Sequence, residues 1–146
     1  MIEVSPARLW VMRAMYLVMA LGIGLTIWPL IVSHGSALPR MTGVAWALLG
    51  TIGLLALLGL RHPLQMLPLL LFELSWKAIW LAAFALPRWL DGTLDEGMRS
   101  SVFETSFGAV LFLVIPWRYV WATYVVRPAE PWTLSRPKTA PVAGAA

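Results

Sequence analysis

The chain has 146 residues, 60% of them hydrophobic and only 12% charged, with no cysteine. A soluble domain carries about a quarter charged residues, so the composition speaks against one. The missing cysteine excludes disulfides, thiolate catalysis and cysteine-held metal or iron–sulfur centres within the chain. The net charge of +4 is spread over the ends of apolar runs, a pattern that reports orientation and lipid contact rather than nucleic-acid binding.

Ser5-Pro6 opens the first helix, with Ser as N-cap and Pro in the first turn, where a missing N–H costs nothing. Arg8, Trp10 and Arg13 then occupy headgroup depth, and residues 14–32 form the first span. Pro29 is expected to bend that helix near its outer end. A secretory signal peptide is the competing reading, with Gly35-Ser36-Ala37 as cleavage site. The apolar run is longer than the usual h-region of about 7–15 residues, which favours a span.

Arg40 and Arg61 bracket the second span, residues 41–60. Gly43, Ala47 and Gly50 share one face there, and small residues let another helix approach closely. They serve packing inside the monomer or contact with a homodimer or membrane-protein partner. Pro63 starts the third span, residues 64–86, Pro68 bends its first turns and Pro87 closes it. In the loop that follows, Thr93 and Glu96 fit a capping box, so a helix starts near Leu94. It runs into the fourth span, residues 102–126, or breaks near Gly97; Pro116 kinks the span, and Arg118 snorkels to the interface. Residues 127–146, with Pro128, Pro131, Pro137 and Pro141, read as a disordered Pro/Ala-rich tail.

The expected fold is therefore all-α: an integral-membrane four-helix bundle in contact with the lipid bilayer. Both termini are expected to be cytoplasmic, because Arg8, Arg13, Arg61, Arg118 and Arg127, with Arg136 and Lys138 on the tail, outnumber Arg40, Arg88 and Arg99. Trp10, Trp117 and Trp121 fall at the inner interface, and Trp28, Trp46 and Trp89 at the outer one. The acidic outer loop of Asp91, Asp95, Glu96 and Glu104 lacks the spacing of a calcium loop.

The third span carries Glu73 and Lys77 at roughly 14 and 20 Å from its inner end, at 1.5 Å per residue. A charge at such depth costs at least ~2.5–3.5 kcal/mol. Four residues apart, the two share a helix face with Trp76 and Trp80. Thr26 and Thr51 are candidate polar neighbours. Three readings follow: an intrahelical ion pair that fixes packing, a polar cavity for a small amphipathic molecule, or Glu73 as the acid or base of a lipid-directed enzyme. No cofactor is expected. His34 and His62 lie at opposite ends of the spans, too far apart to share a haem. No nucleotide loop, zincin helix or nucleophile elbow occurs. Ser75 and Ser106 lack a His–Asp companion and are expected to bond back to helix carbonyls.

The stretch from Leu57 to Leu81 through Arg61-His62-Pro63 and Glu73-Leu-Ser-Trp-Lys77, with Ile115-Pro-Trp-Arg-Tyr-Val120, resembles a group of small bacterial inner-membrane proteins of unassigned function. The resemblance implies a multi-pass protein of the bacterial inner (plasma) membrane with four spans, and brings no activity. A glutamate within an apolar helix also resembles the emopamil-binding/sigma-2 family of four-span sterol binders. The expected role is a non-enzymatic scaffold or accessory subunit, with a small-molecule binder or transporter as the alternative.

Overall fold

The computed structural model describes residues 4–129. Helix α1 spans Pro6–His34. Ser5 caps it, its Oγ accepting from the Arg8 N–H at 3.4 Å, and Pro6 fills the first turn as its fixed φ favours. The helix passes through Pro29 without ending. A single 3-10 turn at Gly35–Ala37 leads into α2, Arg40–Arg61. The contacts between them run in opposite order along the two helices. Arg13 Nε donates to the Leu60 carbonyl at 3.1 Å, and Trp28 Nε1 to the Gly50 carbonyl at 3.3 Å. The hairpin is therefore antiparallel.

Small residues on α2 let α1 come close, but on a face shifted from the one expected. Gly50, Gly53, Ala56 and Gly59 are buried, and an added Cβ at Gly59 would come within 2.4 Å of the Tyr16 ring. Gly43 has open space around it, and Ala47 is exposed. The tyrosine hydroxyl continues past this contact and donates to the Pro63 carbonyl at 3.1 Å.

Pro63 sits in a turn, not at a helix start; α3 spans Leu67–Leu90, with Pro68 in its first turn. The expected end at Pro87 is overrun. Residues Leu81–Ala85 form a π-helical turn, in which the Leu86 N–H reaches back five residues to the Leu81 carbonyl. That wider turn accommodates a proline ring that would otherwise clash with the carbonyl four residues before it. The helix stops at Leu90, where Gly92 takes φ +67°.

The expected capping box is not formed. Thr93 instead turns back on α3, its N–H donating to the Arg88 carbonyl at 2.9 Å. Asp95 is the N-cap, accepting from the Met98 N–H at 2.7 Å. Helix α4, Glu96–Val114, is interrupted by a tight turn at Phe107–Gly108 and does not break at Gly97. Pro116 then bends the chain by 70° into α5, Trp117–Val126. The expected fourth span is thus a bent pair. Beyond Ala129 the proposed tail, with Arg136 and Lys138, lies outside the described residues.

The core gathers Met12, Tyr16 and Met19 of α1, Ile52 and Ala56 of α2, Leu67 and Leu70 of α3, and Leu111, Val114 and Ile115 beside Pro116. These residues cluster toward the end that holds Arg8, Arg13 and Arg61. Elsewhere the helices turn large apolar side chains outward, Leu25, Val32, Ile79 and Phe103 among them. Among the described residues three helices are long and apolar enough to cross a membrane, four when the bent pair is taken as one.

The bend at Pro116 would strand the last carbonyls of α4. Arg8 meets them from across the fold, donating to the Leu113 carbonyl at 3.2 Å and the Ile115 carbonyl at 3.1 Å. Trp117 Nε1 donates to the Phe112 carbonyl at 2.8 Å.

Candidate functional site

Leu70, Glu73 and Lys77 follow one another at helical spacing, so the face of α3 that buries Leu70 also carries the two charges. Glu73 is only 2% exposed and the Lys77 side chain 20%. The lysine Nζ donates to Glu73 Oε2, the one ion pair among the described residues. Its ammonium also stands 4.3 Å from the centroid of the Trp76 ring, within cation–π range. Trp80, one turn further along α3, is half-buried.

The lysine stem lies against α4. A Cβ added to Gly108 would come within 2.5 Å of Lys77 Cδ and 2.9 Å of the Thr105 carbonyl oxygen. The turn that interrupts α4 therefore makes room for the lysine. Gly108 is not among the expected site residues; an isolated glycine inside an apolar helical run is the sequence signal that marks such a close approach. Thr105, also buried, sits beside it.

Two buried polar atoms of the described residues have no hydrogen-bond partner: Glu73 Oε1 and Trp76 Nε1. One is an acceptor and the other a donor, and they lie three residues apart on one helix face. An unpaired buried group of this kind costs about 1–3 kcal/mol. A single hydroxyl or amide group, able both to donate and to accept, has the chemistry that would answer the two together.

No family model, no curated protein and no solved structure matches this chain.

Thr26 and Thr51 do not join it. Their hydroxyls donate to the Gly22 carbonyl at 2.7 Å and the Ala47 carbonyl at 2.8 Å, and both residues are exposed. Ser75 and Ser106 bond back to the Leu71 and Val102 carbonyls at 2.6 Å, as expected of hydroxyls in apolar helices. His34 ends α1 and His62 follows α2, at opposite ends of the antiparallel hairpin. Among the described residues no three metal-binding side chains gather.

Proposed function

We propose that this is a four-span protein of the bacterial inner membrane, with α4 and α5 together as the bent fourth span and both termini cytoplasmic. It acts as a scaffold or accessory subunit through helix contacts, without catalysis of its own. The observation that carries this reading is that the charge of Glu73 is answered inside the chain. Lys77 pairs with it, and the lysine stem is seated on Gly108, so the pair ties α3 to α4. The proposed orientation draws on Arg8, Arg13, Arg61 and Arg118 at one end against Arg40, Arg88 and Arg99 at the other.

The test is a double-mutant cycle of Glu73→Gln and Lys77→Met, read by unfolding in detergent. Breaking a buried pair costs about 3–5 kcal/mol, and less here because Lys77 is part-exposed. Each single change is expected to destabilise more than the double change does. A double variant as unstable as the two singles summed would remove the tie. Orientation is read from single cysteines in a chain that has none. An impermeant maleimide is expected to label Ser36→Cys and Thr93→Cys in intact cells, and His62→Cys only after lysis.

A second reading has its own observation. The unpartnered Glu73 Oε1 and Trp76 Nε1 favour a small amphipathic molecule that brings a hydroxyl to them, with Lys77 and Trp80 beside it. Under that reading Glu73→Gln abolishes a ligand-dependent thermal shift while leaving the free protein nearly as stable as before.

A further inference from the structure

Between the second half of α3 and the first half of α4 lies a groove of about 620 Å³, apart from the Glu73–Lys77 pair. Ala78, Ala82, Ala85, Trp89 and Val102 line it, with Arg99 as its one charged residue. The volume falls within the roughly 300–1,000 Å³ typical of small-molecule sites. We propose that the groove seats one anionic phospholipid, with an acyl chain along the alanines and the phosphate on Arg99. The proposal rests on the membrane reading above.

Three observations support this occupant. The first is charge. Among the described residues Arg99 makes no ion pair, although acidic side chains lie close in sequence. Asp95 spends a carboxylate oxygen on capping α4. The Arg99 guanidinium is the one charged group lining an otherwise apolar groove, and its planar fork suits a phosphate. The second is length. Ala78 and Trp89 are eleven residues apart on α3, which is about 16 Å at 1.5 Å per residue. That is close to half of a hydrocarbon core about 30 Å thick, the depth of one leaflet. The third is the backbone. The π-helical turn Leu81–Ala85 runs along the groove, and such turns recur at functional sites. Trp89, beside Arg99, has the amphipathic ring that headgroup depth favours.

The experiment uses the full chain, first in membranes and then in a neutral detergent. Alkaline washing of membranes is the first arm, and the chain is expected to stay in the pellet. A chain that washes off overturns the membrane reading and the lipid site with it. In the second arm, phosphatidylglycerol or phosphatidylcholine is added and retained lipid is counted by native mass spectrometry. Phosphatidylglycerol is expected to be retained preferentially, one molecule per chain. Arg99→Gln is expected to lower that preference about tenfold, the size of one charged hydrogen bond. Arg40→Gln, at the same end but outside the groove, leaves it unchanged. Ala82→Phe fills the groove and removes the bound lipid, with circular dichroism checking that each variant keeps its helices. Equal retention of the two lipids, an Arg99→Gln result equal to that of Arg40→Gln, or a lipid-free dimer in which a second copy fills the groove would overturn the lipid site alone.

Discussion

Replacing Gly108 with alanine asks whether Lys77 is clamped between α3 and the turn in α4. The new Cβ would lie 2.5 Å from Lys77 Cδ and 2.9 Å from the Thr105 carbonyl oxygen. Unbonded carbons settle at about 3.5–4.0 Å, so the lysine stem must move by roughly 1 Å. It cannot swing aside freely, because Glu73 holds its other end. Overpacking of this kind costs about 1–3 kcal/mol. Alanine also restricts the unfolded chain, which is worth about 0.4–1 kcal/mol in the opposite direction. Gly43→Ala supplies the reference, since nothing lies within 4 Å of its Cβ position. Subtracting one variant from the other cancels the backbone effect and leaves the overpacking, about 1–3 kcal/mol against Gly108→Ala. The measurement is equilibrium unfolding in mixed micelles as sodium dodecyl sulfate is raised, followed by helical circular dichroism. Repeating both in a Glu73→Gln/Lys77→Ala background removes the stem beyond Cβ and leaves the Thr105 carbonyl oxygen at 2.9 Å and the Cβ of residue 77 at 3.4 Å, so the gap is expected to narrow. A gap under about 0.5 kcal/mol, the range of surface substitutions, refutes the clamp. So does a gap that survives unchanged in the second background.

Gly59→Ala drives a methyl into the buried Tyr16 ring and is expected to cost about 1–3 kcal/mol in the same unfolding assay. Tyr16→Phe loses the hydroxyl's bond to the Pro63 carbonyl and is expected to cost about 1 kcal/mol. Arg8→Gln releases the Leu113 and Ile115 carbonyls; a loss of about 1–2 kcal/mol and faster amide hydrogen exchange around Pro116 are expected. Asp95→Ala removes the cap of α4. It is expected to cost about 1 kcal/mol, with faster exchange confined to the first turn at Met98.

Features set by neighbours in the chain were legible in the sequence. The Ser5-Pro6 start, the back-bonding of Ser75 and Ser106, the pairing of Glu73 with Lys77 and the bend at Pro116 each depend on residues a turn or less apart. What the sequence withheld depends on the third dimension. Pro87 looked like a stop because the π-helical turn that accommodates it has no local signature. Thr93 and Asp95 are both good caps; Thr93 is engaged by the Arg88 carbonyl, and Asp95 begins α4. The sequence points to Gly43, Ala47 and Gly50 as the close face of α2, and the approach of Tyr16 on α1 puts the tightest contact at Gly59 instead. The partner of Arg8 lies 107 residues away.

Hydroxyl bonding adds an argument for a hydrocarbon setting that does not use hydropathy. Water would satisfy side-chain hydroxyls at no structural expense, whereas lipid offers them nothing. The hydroxyls of Thr26, Ser33, Thr51, Ser75, Ser101 and Ser106 each turn inward to a carbonyl four residues back. A chain that disposes of its polar groups so thoroughly makes its exceptions informative. Glu73 Oε1 and Trp76 Nε1 are both left over, on one face of one helix. If they merely tolerated their surroundings, Trp76→Phe would raise stability by removing an unanswered donor. If a hydroxyl-bearing molecule completes them in the membrane, the same change weakens its retention through purification, read in a native mass spectrum; a gain in stability with no bound molecule lost refutes the ligand.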